Sequence, residues 1–295
     1  MRLDGERESD NVEDRRGGGG FRGGGGIPIG VAGGGLGTVA LVLLALFFGV
    51  DPRVILGGGE EAPPQSQVTE SRSAPAAGQD DGARHFVAQV LATTEDAWGD
   101  IFRRANRQYT PPNLVLFSGG TQSACGFAQT AVGPFYCPND SKVYLDTAFF
   151  RDMERKLGAP GEFARAYVIA HEVGHHIQNL TGVLGEAAAR QRRVSSREGN
   201  AIQVLVELQA DCYAGVWAAN ARDAQGSLME PGDVEEGLRA AQAIGDDTLQ
   251  RQAQGRVVPE AFTHGSSAQR QEWLRRGLQS GDPAACDTFN SASIG

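Results

Sequence analysis

Apolar positions are spread unevenly along the chain. Ile27 to Val50 is a run of 24 residues without a charge, and from Val39 onward it is almost continuously aliphatic or Phe. A membrane-spanning helix needs about 20 such residues, and its glycines are tolerated there. The run therefore predicts one transmembrane helix over residues 27–50. A buried core helix is the alternative, and both flanks oppose it. Residues 1–26 end in GGGGFRGGGG and read as a disordered tail; residues 51–83 contain GGGEEAPPQSQ and read as a flexible linker. A folded domain is expected over residues 84–295.

Inside that domain the period changes. GEFARAYVIAHEVGHHIQNLTG repeats apolar residues at helical spacing (Phe163, Ala166, Tyr167, Ala170, Gly174, Ile177) and predicts a helix from about Glu162 to Leu180, stopped at Thr181-Gly182. Apolar residues cover much of its circumference, so it is expected to be buried. A second helix is predicted in AIQVLVELQADCYAGVWAA, from about Arg197 to Ala219. NLVLFSG and SKVYLDTAFF have strand character, and Lys142 to Leu145 is the candidate edge strand for pairing with an extended peptide, a core strand being the alternative. Ser266 is a candidate N-cap for a helix carrying Trp273 and Leu274.

Composition sharpens this division. Of 41 glycines, 18 fall in residues 1–60, so the excess belongs to the N-terminal region. The formal net charge of −9 makes a general nucleic-acid binder a poor reading, since phosphate contacts need clustered cations. Arg15, Arg16 and Arg22 precede the apolar run and only Arg53 lies close behind it. That bias places the N-terminus in the cytoplasm and the domain outside, a single-pass protein of the cell membrane. A cleaved signal peptide would need a small-x-small site, and GVDPRVILGGG offers no good one.

Four cysteines in an extracytoplasmic domain favour disulfides. Three pairings are possible. Cys125 with Cys137 would close a short loop, leaving Cys212 with Cys286 to tie the chain end to a helix. A thiolate zinc site is weaker, because no C-x-x-C pair is present.

The chemistry concentrates at His171-Glu172-Val173-Gly174-His175, an H-E-x-x-H pattern. On a helix, residues four apart share a face, so His171 and His175 can bind one Zn²⁺ while Glu172, about 100° round, serves as general base without being a ligand. A pair of satisfied core histidines is the plainer alternative. Catalytic zinc takes three protein ligands. The metzincin continuation would place Gly at 178 and His at 181; Gln178 and Thr181 exclude it. Glu207 and Asp211 lie four apart among apolar neighbours on the second helix, where a solvated face is hard to arrange. Glu207 is read as the third ligand and Asp211 as the acceptor from a ligand His N–H. His264, in FTHGSSAQR, is a candidate electrophile for the oxyanion, with a surface or capping loop as its alternative. Arg270 is a second candidate electrophile, with a solvated helix face as its alternative. His176, about 100° off the ligand face, is expected to be structural or to support the ligands from behind; His85 receives no role.

HEVGHHIQ followed by ELQADCYAG resembles the Glu-zincin pattern. With SACGFAQTAVGPFYCPNDSKVYLDTAFF and FTHGSSAQRQEW, it resembles more narrowly the family named putative neutral zinc metallopeptidase, over about Arg84 to Phe289. The resemblance implies a bacterial, membrane-anchored protein with an α+β, zincin-like domain, mostly helical with a small sheet. It also implies peptidase activity through a zinc-activated water. Two alternatives stay open: a non-catalytic, zinc-stabilised binding module at the membrane surface, and a deformylase-like hydrolase using Cys125 as a free thiolate ligand. The expected partners are a peptide or protein substrate and the membrane.

Overall fold

A computed structural model describes residues 1–16, 81–129 and 133–290. The domain is mixed α and β, mostly helical. A four-stranded sheet has the order β1 (Val12–Asp14), β2 (Asn113–Phe117), β6 (Lys142–Asp146), β5 (Phe135–Cys137). β1 and β6 run parallel to β2, and β5 runs antiparallel to β6. A hairpin of β3 (Gly120–Ser123) and β4 (Gly126–Gln129) stands beside it, and a small ladder pairs β7 (Arg222–Asp223) with β8 (Gly226–Ser227).

Period-2 alternation splits the sheet into two faces. Leu114, Leu116, Val143 and Leu145 join the main core with the helices. Val115, Phe117 and Tyr144 form a second, smaller cluster with Cys137. The helices are α1 (Asp81–Arg104), α2 (Ala148–Leu157), α3 (Glu162–Thr181), α4 (Val183–Gln191), α5 (Ser196–Asn220), α6 (Asp233–Ala243), α7 (Asp246–Gln254) and α8 (Ser267–Ser280). α3 and α5 match the two helices predicted from periodicity. Gly182 ends α3 at φ 86°, a left-handed C-cap that favours glycine. Ser266 caps α8 as expected, and Gln269 completes a reciprocal capping box.

Three helices meet at glycines. A Cβ at Gly174 would come within 3.0 Å of the Ala210 carbonyl oxygen, so α3 and α5 cross almost backbone to backbone. A Cβ at Gly277 would run into the Cys212 carbonyl, and one at Gly215 into Leu274, which locks α8 onto α5. Both disulfides form in the favoured pairing, Cys125–Cys137 and Cys212–Cys286.

Three expectations are corrected. First, β6 is central, flanked by β2 and β5, so Lys142 to Leu145 is not an edge; β5 is. Second, residues 1–16 are not part of a disordered tail. The Met1 ammonium is buried and bonded to Asp233 at 2.8 Å. Arg2 grips Asp223 with both terminal nitrogens, Arg7 pairs with Glu95 and Asp96, and β1 joins the main sheet. Third, the membrane topology fails. Residues 1–16 pack into the same domain as residues 81–290, so the two cannot lie on opposite sides of a membrane. Among the described residues no helix is long and apolar enough to cross one. The expected span at 27–50 and most of the linker at 51–83 lie outside the described residues.

Candidate metal centre

The centre is built where α3 crosses α5. One turn of α3 presents His171 and His175 on a single face, and the close approach at Gly174 brings Glu207 of α5 against them. Glu207 Oε2 lies 3.2 Å from His171 Nε2 and 3.5 Å from His175 Nε2. The possible ligand atoms of these three residues all fall within 4.8 Å of one another. The expected ligands are thus brought together.

The surrounding hydrogen bonds test whether a cation fits. His171 Nδ1 faces the Asp211 carboxylate at 2.8 Å, and His175 Nδ1 faces Gln178 Oε1 at 2.8 Å. Both partners are acceptors, which places a proton on each Nδ1 and leaves each Nε2 lone pair turned toward Glu207. Two imidazole lone pairs and a carboxylate oxygen converging in a buried pocket are three acceptors without a donor, and only positive charge relieves them. A proton on a histidine meets the same demand for positive charge that a metal ion would. Burial works against charge on His171, yet Asp211 and Glu207 outweigh it and raise its pKa to about 10. Burial likewise raises the Glu207 carboxyl, but His175 and His171 overcome this and hold it well below the ordinary range. Two nitrogens and one carboxylate oxygen with ordered outer partners are a zinc donor set.

Asp211 is saturated. It accepts from His171, from Tyr167 Oη at 2.5 Å, and from Arg270 Nε and Nη2 at 2.8 and 2.9 Å. Burial raises its pKa, but Arg270 and His171 prevail and lower it to about 2. Arg270 is buried and committed to this pair, so neither sequence reading of it holds: it is no solvated helix residue and not a free electrophile. Gln203 donates to the second oxygen of Glu207 at 2.9 Å.

Glu172 and His264 line the same cleft, a cavity of about 550 Å³ with mostly apolar walls. Burial pushes the Glu172 carboxyl up in pKa, as suits a base. His264 sits in a loop organised by Asp246, which accepts the backbone N–H of Thr263, His264 and Gly265 and faces His264 Nδ1 at 3.3 Å. Burial disfavours charge on His264, but Asp246 prevails and raises its pKa. His264 is therefore an oriented imidazole, not a surface-loop residue. His176 turns from the ligands. It meets Tyr136 Oη at 3.0 Å and the Thr110 carbonyl at 2.7 Å, and so ties edge strand β5 to α3. His85 faces Glu8 of the N-terminal segment. Tyr167, Gln178, Gln203, Gln209 and Asp246 were not singled out by motif; only helical offsets from the ligands, such as Gln178 three residues after His175, point to any of them. Cys125 is oxidised, which removes the thiolate ligand that a deformylase-like site requires.

Three residues that could hold one metal ion thus converge beside a cleft that Glu172 and His264 also line. Residues 1–289 match the family described as "Putative neutral zinc metallopeptidase", and the chain belongs to it. It is 49% identical to the uncharacterized protein YpfJ of Escherichia coli (strain K12) over 294 residues, 99% of this chain and 100% of that protein. It is 41% identical to the uncharacterized protein Rv2575 of Mycobacterium tuberculosis over 265 residues, 85% of this chain and 87% of that one. No solved structure matches.

Proposed function

We propose that this chain is a zinc-dependent peptidase of zincin-like fold that hydrolyses peptide bonds with Glu172 as general base. The observation that carries the reading is the convergence of His171, His175 and Glu207 beside a cleft that Glu172 also lines. These three residues would hold the zinc, and Asp211 acts on His171 from behind. When bound, zinc acidifies water and polarises a carbonyl. Glu172 takes the proton from the attacking water and delivers it to the leaving amine. His264, held through Nδ1 by Asp246, offers its other nitrogen to the oxyanion. The β5 edge gives an extended peptide a strand to pair with, and the apolar walls exclude water around it.

Glu172→Gln tests the mechanism. Zinc content stays at one per chain, while cleavage of a peptide library falls by about 10²- to 10⁴-fold. Undiminished cleavage overturns the role of Glu172. A wild-type protein that binds zinc and cleaves nothing in the library instead supports a zinc-stabilised binding module.

A further inference from the structure

The two ligand histidines are held from behind by different chemistry. His171 leans on a carboxylate. His175 leans on a neutral amide, and that amide begins a chain of hydrogen bonds ending at the C-terminal segment. Gln209 Nε2 donates to the Cys286 carbonyl at 2.9 Å. Gln178 Nε2 donates to Gln209 Oε1 at 3.0 Å and to the Val206 carbonyl at 2.7 Å. Gln178 Oε1 meets His175 Nδ1 at 2.8 Å.

The direction of this chain is forced. Backbone carbonyls accept and never donate. Cys286 therefore turns the Gln209 NH₂ toward itself and the Gln209 oxygen toward Gln178. That oxygen and the Val206 carbonyl together turn the Gln178 NH₂ away from His175. The Gln178 oxygen is left facing Nδ1, which must carry the proton. Reversing either amide would press oxygen against oxygen in a site closed to bulk solvent, where Gln178 is 0% and Gln209 5% exposed. The final acceptor is itself fixed. Cys286 is joined to Cys212 of α5, and Thr288 Oγ1 donates to the Leu205 carbonyl at 2.8 Å.

We propose that the C-terminal segment 283–288 sets the tautomer of His175 through Gln209 and Gln178, which are positioning residues of the metal centre. This rests on the metal-centre reading above. A ligand histidine whose Nδ1 proton is held in place presents Nε2 to the metal without a tautomeric penalty, and the Cys212–Cys286 disulfide becomes part of the zinc site although neither sulfur touches it.

The test measures zinc affinity by chelator competition on the purified full chain for wild type, Gln178→Met, Gln209→Met and Glu207→Ala. Zinc-free thermal midpoints are measured in parallel. Long-range ¹H–¹⁵N spectra of the zinc-loaded proteins read the His175 Nδ1–H directly. Gln178→Met is expected to weaken zinc binding by about 10- to 100-fold and to lose the slowly exchanging Nδ1–H signal. Gln209→Met, which keeps the Val206 contact, is expected to fall between it and wild type. If Glu207→Ala binds zinc as wild type does, the metal-centre reading itself fails. If Glu207→Ala loses zinc while both glutamine variants keep wild-type affinity and the Nδ1–H signal, the centre stands and the relay is wrong. Should Gln178→Met not fold, Gln209→Met decides by the same two readouts.

Discussion

Asp211 shows how much a single buried carboxylate can organise. Four donors from Tyr167, His171 and Arg270 converge on its two oxygens, leaving it ionised at 0% exposure. Removing one partner of a buried ion pair strands the other, at a cost of about 3–5 kcal/mol. Arg270→Met is therefore expected to lower unfolding free energy by that order in urea titration. Arg270→Lys is not expected to restore it, because one ammonium cannot replace the two-pronged guanidinium contact. Two of the three candidate ligands, His171 and His175, and the candidate base Glu172 are legible in the sequence because they lie within about one helical turn, where local geometry fixes their relation. Arg270, Gln178 and Gln209 are not. Their partners are set by which helices cross, and a neutral amide or a lone arginine leaves no local signature of that.

The candidate metal centre depends on helices brought closer than ordinary side chains allow. At Gly174 an added methyl would sit 3.0–3.3 Å from Ala210, a clash that small shifts can absorb. Gly174→Ala is expected to cost about 1–3 kcal/mol and to weaken zinc binding by pushing Glu207 away. At Gly277 the methyl would meet the Cys212 backbone, which cannot give way. Gly277→Ala is expected to leave no cooperative thermal transition. A normal melting curve for that variant would show that α8 can move off α5. Helices α3 and α5 could be placed from sequence to within a residue or two because their period is local. The status of β6 could not. Its alternation fits an edge or a centre equally, and the decision lies with the neighbours that β2 and β5 supply from elsewhere in the chain. The same limit applies to SKVYLDTAFF, which leaves the sheet at Asp146 and continues as α2 from Ala148.

At the scale of the molecule the first sixteen residues belong to the domain, and nothing in their pattern announces it. They have no apolar run; Met1 and Leu3 are buried singly in the main core, β1 pairs with β2, and ion pairs reach Glu95, Asp96, Asp223 and Asp233 far along the chain. Burial works against charge on the Met1 ammonium, but Asp233 and Glu230 outweigh it and raise its pKa above the ordinary 8.0. A group with a raised folded pKa contributes stability that is full below the ordinary value and is lost as pH rises through the folded one. Wild-type protein is thus expected to lose stability on moving from pH 7.5 into the alkaline range. A form with an acetylated amino terminus should start lower and lack that component of the pH dependence. Parallel urea titrations of the two forms check this, and identical curves at every pH would show that the Met1 ion pairs contribute nothing.

The buried amino terminus also fixes an order of events in synthesis. Asp233 is 232 positions behind Met1 and is synthesised after it. At roughly 5–20 residues per second that partner follows some tens of seconds later, so the Met1–Asp233 pair cannot form until α6 exists. A segment built of Arg, Asp, Glu and Asn can wait in that way where an apolar strand could not. β1 itself needs only β2, which is made long before α6, so the strand and the amino terminus it carries have partners completed at different times.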